Sequence, residues 1–180
     1  MLNRDVVKQS WTLPLSVLKK YRQPCFVETG TFRGGAIHTA LEAGCDRIYS
    51  TEISDFYHAE VAAKYKDNKN VHLFHGDSLD MLPRMLLEVD EPAVFWLDAH
   101  YETTPVLEEL ACISKHKYAA RHTIMIDDVR IFRAVAYWAA KTSLTAVLQH
   151  VASLFPTHYT RVEDSNIEPR DILVVTPLVP

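Results

Sequence analysis

The 180-residue chain has no basic excess. Its 19 Lys and Arg stand against 23 Asp and Glu, for a formal net charge of −4. A protein that neutralises a phosphate backbone carries a basic footprint, so duplex DNA and bulk RNA are poor partners. The one basic cluster, Lys19-Lys20 with Arg22, reads as a solvated helix end. Cysteine is scarce. Cys25, Cys45 and Cys112 are odd in number and widely spaced, which excludes a zinc-knuckle or disulfide framework and suits a reducing compartment. No run reaches membrane-spanning length, and the first ten residues hold no apolar core of signal-peptide length. Internal repeats, low-complexity segments and linkers are also missing. The expectation is one soluble, cytoplasmic domain over residues 1–180, large enough to build its own core.

What is present is a regular alternation. Short apolar runs at Cys25–Glu28, Arg47–Glu52, Val71–His75, Ala93–Leu97 and His122–Ile126 read as strands. Segments of helical spacing lie between them, at Ala36–Ala43, Asp55–Lys66, Leu79–Glu88 and Val106–Ser114. Five such alternations predict a parallel sheet with helices on both faces, its strands buried on both sides. An amphipathic stretch from about Asp5 to Tyr21, interrupted at Pro14, precedes the core, so residues 1–24 form a short helical segment and 25–180 the core. The last third reads as a helix from Phe132 to Leu154, then two extended runs, Thr157–Glu163 and Asp171–Thr176, joined by the turn-rich Asp164-Ser165-Asn166. These predict an antiparallel hairpin. The fold class is therefore α/β: a Rossmann-like, doubly wound, seven-stranded sheet, mostly parallel, closed by a C-terminal hairpin.

The segment Phe26-Val27-Glu28-Thr29-Gly30-Thr31-Phe32-Arg33-Gly34-Gly35 carries the most information. An apolar strand ends in a carboxylate, passes through a glycine-bearing loop and opens a helix. Twenty-two residues after Gly30 a second strand ends at Glu52. A βαβ unit presents a loop to a nucleotide-like ligand in this way and offers a carboxylate to its ribose hydroxyls. Glycine lets the backbone come close where a Cβ would clash. A dinucleotide frame would put glycine where Phe32 stands, and no Walker lysine ends the loop. The frame Glu28-x-Gly30-x-x-x-Gly34 fits a nucleoside ligand without a pyrophosphate.

Further acids fall at successive strand ends: Asp77, Asp98, and Asp127 with Asp128. Asp77 with Ser78 also reads as a helix N-cap, and Asp128 as another. Asp98, Asp127 and Asp128 gather hard oxygen ligands of the kind Mg²⁺ or Mn²⁺ takes. Three such carboxylates repel one another unless a cation offsets them. His100, two residues beyond Asp98, is a candidate base for an alcohol proton. His72 and His75 bracket a strand and read as edge or surface residues. Tyr101 is a candidate for lining an acceptor pocket, or for simple packing.

The order of elements resembles the class I S-adenosylmethionine (SAM)-dependent methyltransferases over nearly the full chain. The segments Val94-Phe95-Trp96-Leu97-Asp98-Ala99-His100-Tyr101, Pro105-Val106-Leu107-Glu108-Glu109-Leu110 and Ile124-Met125-Ile126-Asp127-Asp128 resemble the small-molecule O-methyltransferases of the macrocin and cephalosporin-pathway type. The chain departs from the motif at Phe32 and in its short N-terminal segment. The resemblance implies SAM as cofactor, contacted by Glu28, Gly30, Thr31, Phe32, Gly34, Gly35, Glu52, Ile53, Asp77, Ser78 and Asp98. Glu28 then meets the amino-acid end, Glu52 the ribose, and Asp77 with Ser78 the adenine. It further implies Mg²⁺ or Mn²⁺ on Asp98, Asp127 and Asp128, catalysis by His100 and Asp98, and a small hydroxylated acceptor such as a sugar. No nucleic-acid or membrane partner is expected, and self-association into a homo-oligomer stays open. Two other readings stand beside this one. An NAD(P)-dependent oxidoreductase or epimerase would use Glu52 alike. A cofactor-binding protein without catalysis would keep Glu28 and Glu52 and have no need of the aspartates.

Overall fold

The computed structural model describes residues 12–100, 104–133 and 142–178. The elements run α1 (Leu15–Tyr21), β1 (Cys25–Thr29), α2 (Gly35–Ala43), β2 (Arg47–Glu52), α3 (Asp55–Tyr65), β3 (Val71–His75), α4 (Ser78–Glu88), β4 (Ala93–Leu97), α5 (Val106–Ile113), β5 (Thr123–Ile126), α6 (Val129–Arg133), α7 (Leu144–Leu154), β6 (His158–Glu163) and β7 (Ile172–Pro177). The five expected parallel strands fall within a residue of their sequence bounds.

One expectation needs correction. The single helix expected over Phe132–Leu154 is two elements: α6 ends at Arg133 and α7 begins at Leu144, with residues 134–141 outside the described set. Ser143 starts the second helix, its hydroxyl accepting from Ala146 N–H at 3.2 Å. Apolar periodicity runs through such a restart and does not reveal it; the cap does. Of the N-terminal segment, residues 1–11 lie outside the described set, and α1 covers the rest of the expected helix.

Seven strands form one sheet in the order β3-β2-β1-β4-β5-β7-β6, with β5–β7 and β6–β7 antiparallel and the other pairs parallel. Strands β1, β4 and β5 are buried throughout, which is why they read as continuous apolar runs. Successive side chains face opposite layers. Phe26, Ile48, Val94, Trp96 and Met125 pack under α1, α2 and Val61 of α3. Val27, Tyr49, Phe95, Leu97, Ile124 and Ile126 pack under α4, α5 and α7. Among the described residues no helix is long and apolar enough to cross a membrane.

The chain leaves β1 toward β2 and β3, then returns to place β4 on the other side of β1. The connections diverge there, opening a crevice beyond the carboxyl ends of β1 and β4, where ligands of such sheets lie. The opposite end is closed by histidines. Ala93 N–H donates to His122 Nδ1 at 3.0 Å, His122 Nε2 meets His116 Nδ1 at 2.7 Å, and His116 Nε2 meets the Val89 carbonyl at 3.1 Å. The amide donor leaves Nδ1 of His122 bare, so both rings are neutral, each with its proton on Nε2. Of the two histidines bracketing β3, His72 stacks on Tyr49 and His75 is exposed, as expected for an edge strand.

Candidate functional site

Glu28 and Glu52 sit on the same face of neighbouring strands. Glu28 is paired in register with Ser50, whose hydroxyl donates to Glu28 Oε2 at 2.5 Å, and Ser50 in turn meets Thr31 Oγ1 at 2.5 Å. This buried chain ties the first loop residues to β2. Glu28 is 1% exposed, and burial pushes its carboxyl up to about 8, with the Ser50 hydrogen bond opposing. Glu52 holds the loop more directly. Its Oε2 accepts from Phe32 N–H at 2.7 Å and its Oε1 from Ser54 N–H at 2.8 Å. The acid expected to meet a ribose is thus also the clasp between the glycine loop and the start of α3.

The loop's conformation explains its composition. Gly30 has φ +88° and Gly34 φ +72°, both left-handed. A Cβ on Gly30 would meet the Asp98 carbonyl, and one on Gly34 the Tyr65 ring and Val61. The close approaches that these glycines permit include ones to the protein itself. Phe32 also lies in the left-handed region, at φ +48°, and keeps its side chain. Its ring, 45% exposed, packs on Tyr57 at 4.6 Å, with the Arg33 guanidinium over both rings. Together with the exposed Ile53 and Phe56 it makes an apolar rim beside Glu52. Gly35 is the first residue of α2. Asp77 is the N-cap of α4, its Oδ1 accepting from Leu79 N–H at 2.8 Å, while Ser78 is buried in the first turn.

The second constellation lies at the ends of β4 and β5. Asp98 N–H donates to the Thr29 carbonyl at 3.0 Å and Asp127 N–H to the Leu97 carbonyl at 3.1 Å, so each acid is the residue just beyond its strand. Burial, then Asp127, Asp128 and Glu28, hold the Asp98 carboxyl well above its ordinary range. Burial and Asp128 push Asp127 up to about 7. Burial also raises Asp128, with the Arg130 guanidinium opposing. Four acids crowd one basic group here, because Asp171, fully buried on the strand end opposite, is ion-paired to Arg130, which also pairs with Asp128 at 2.7 Å.

The three acids of the expected metal set make different contacts. Asp127 Oδ1 turns back to accept from Asp128 N–H at 2.8 Å, and the Thr12 hydroxyl faces the same carboxyl. Asp128 is held at φ +56°, and its carboxyl stays close to that of Asp127. The group whose ligand atoms all lie within 4.8 Å of one another is Asp98, His100 and Asp128; Asp127 falls in a second group, with Asp128 and Asp171. Among the described residues both ring nitrogens of His100 are buried without an aligned hydrogen-bond partner, and burial lowers its pKa to about 4, with the Asp127 backbone opposing. Tyr101 lies outside the described residues. Three residues near the site have no role in the sequence reading: Arg130, Asp171 and Glu109. Glu109 had a signal, since Val106, Glu109, Leu110 and Ile113 share one helical face.

Sheet order, strand-end acids and glycine loop together give the chain the fold of the class I SAM-dependent methyltransferases. Solved structures with this fold include the SAH-bound methyltransferase PaMTH1 of Podospora anserina, 15% identical, TM-score 0.64, over 91% of this chain and 75% of that one. An O-methyltransferase of Bacillus cereus in complex with SAH is 17% identical, TM-score 0.61, over 90% and 78%. TomG of Streptomyces achromogenes, an O-methyltransferase involved in tomaymycin synthesis and solved with SAM, is 16% identical, TM-score 0.59, over 91% and 77%. No family model matches the sequence, and no curated protein does.

Proposed function

We propose that this chain is a SAM-dependent O-methyltransferase acting on a small hydroxylated compound, of which a sugar or glycosylated metabolite is the favoured class. One observation carries the reading: Glu28, Glu52 and Asp98 stand at the carboxyl ends of β1, β2 and β4, at the strand-order switch, around a loop whose middle position holds Phe32. Carboxyls at these positions suit a ligand with an ammonium, a sulfonium and ribose hydroxyls, and Phe32 stands where a pyrophosphate would need glycine. The cofactor's amino-acid end is assigned to Glu28, its ribose to Glu52, its adenine to Ile53 and the Asp77–Ser78 turn. That TomG serves the synthesis of a small molecule supports a small acceptor.

Methyl transfer is an in-line displacement. The acceptor oxygen forms a bond to the methyl carbon as the carbon–sulfur bond breaks, leaving neutral SAH and a hydroxyl proton to be removed. Positioning accounts for most of the rate in such a step. Asp98 and His100, side by side beyond β4, are the groups placed at that proton. The neighbouring residues fit a divalent cation, because the two buried ring nitrogens of His100 have no aligned hydrogen-bond partner among the described residues and lie beside the carboxyls of Asp98 and Asp128. Asp98, His100 and Asp128 would hold the ion, which would lower the proton affinity of the acceptor hydroxyl. One imidazole with two carboxylates suits Mn²⁺ better than Mg²⁺.

Titration calorimetry with SAM, SAH, NAD and ATP tests the cofactor assignment. The two adenosyl compounds bind and the phosphate-bearing ones do not; tighter binding of NAD overturns the reading.

A further inference from the structure

On the sheet face away from Glu28 and Glu52 lies a carboxyl that the proposed reaction does not use. Glu109 is 1% exposed, on the side of α5 that packs on the sheet. Its carboxyl faces two hydroxyls: Ser78, in the first turn of α4, and Thr29, the last residue of β1. Among the described residues, Glu109 Oε1, Thr29 Oγ1 and the nearby-in-sequence Thr104 Oγ1 are all buried without an aligned hydrogen-bond partner. A carboxyl buried at a helix–sheet contact costs stability that an apolar residue of the same size would not. Stability alone gives no reason for a glutamate here.

Its two neighbours supply a reason. Thr29 precedes Gly30 and its carbonyl receives the Asp98 N–H, so its position sets both the glycine loop and the end of β4. Ser78 follows the capping Asp77 in the turn assigned to the adenine. Asp77 and Glu108 are the other charged groups acting on Glu109, and both oppose its ionisation; burial pushes it up to about 7.

We infer that Glu109 is a positioning residue for the adenine end of the cofactor, its carboxyl set against the hydroxyls of Ser78 and Thr29 and so holding the start of α4 against the end of β1. The inference rests on reading the Gly30–Gly35 loop and Glu52 as a SAM site. Glu109 itself is enclosed and does not touch the nucleoside.

Calorimetry on the full chain, well below each variant's unfolding midpoint, tests it with SAH and with 5′-methylthioadenosine, which keeps the adenosine but lacks the amino-acid tail. Glu109→Ala weakens both by about tenfold or more, and Glu109→Gln, which keeps an acceptor oxygen, returns both to within about threefold. Thr29→Val, which preserves strand shape and removes one hydroxyl, reproduces part of the loss and serves where Glu109→Ala does not fold. Unchanged affinity in Glu109→Met or Thr29→Val, with the wild type binding both compounds, overturns the positioning role alone. A wild type that binds neither compound overturns the reading of the site, and this inference with it.

Discussion

The backbone carbonyl oxygen of Asp98 stands 2.5 Å from where a Cβ on Gly30 would fall. The end of β4 is thus seated against the glycine loop, and the two halves of the crevice share one tight contact. Gly30→Ala adds this clash to a backbone held at φ +88°. The loop or Asp98 must then move, at a cost of about 1–3 kcal/mol. A lower thermal midpoint and weaker SAH binding are expected together; a variant with the wild-type midpoint refutes the contact.

Glu52 makes a second prediction because both its oxygens are engaged by backbone N–H groups. A carboxylate that only served a ribose would tolerate glutamine, which can still accept a hydrogen bond. Here the Gln amide nitrogen must face either Phe32 N–H or Ser54 N–H, donor against donor. Glu52→Gln is therefore expected to lose nearly as much SAM affinity as Glu52→Ala, about 1–3 kcal/mol by calorimetry. Unchanged affinity in both variants removes Glu52 from the site.

Much of this was legible in the chain. Strands such as Ala93–Leu97 are apolar throughout because both faces are covered, so periodicity found them with their terminal acids. The glycine loop was legible as a loop, but the purpose of Gly30 was not, since its partner, Asp98, lies 68 positions away (98 − 30). The separate contacts of the aspartates were hidden for a similar reason. Adjacent carboxylates in Asp127-Asp128 look equivalent in sequence, but Asp127 Oδ1 accepts from Asp128 N–H while the Asp128 carboxyl pairs with Arg130. Arg130 and Asp171 pair across a sheet order that only the fold supplies.

Glu28 predicts a pH dependence. Its folded carboxyl titrates at about 8 against an ordinary 4.5. The folded state therefore binds a proton that the unfolded chain has released, and stability falls as pH rises through 8. Between pH 7 and 9 the loss from this group is on the order of 1 kcal/mol. The buried histidines do not contribute in this window, because His122 is neutral in both states there; its pKa is lowered to about 3, first by burial. The ligand-free protein is expected to unfold more easily at pH 9 than at pH 7, with a shallower slope in Glu28→Gln. Parallel slopes in the two proteins exclude Glu28 as a source.

The last prediction separates two roles for His100. If the imidazole only takes the acceptor's proton, His100→Gln lowers turnover by about 10²–10⁴ and leaves Mn²⁺ affinity alone. If it is a ligand, Mn²⁺ affinity falls even without cofactor or acceptor, as read by electron paramagnetic resonance of the free ion. The structure favours the second outcome, because one nitrogen of His100 lies within 4.8 Å of both an Asp98 and an Asp128 oxygen. His100→Ala is then expected to weaken Mn²⁺ by about tenfold or more, and Mg²⁺ less, because Mg²⁺ takes oxygen and water ligands in any case. Asp127→Asn is the contrasting variant. Its Oδ1 accepts from Asp128 N–H, a bond that an amide oxygen can also accept, so the loss should be the smaller one. A larger loss in Asp127→Asn than in His100→Ala restores the all-carboxylate set. Full turnover in EDTA on a genuine acceptor removes the ion altogether, and Arg130, already bridging Asp128 and Asp171, is then the cation that holds the cluster together.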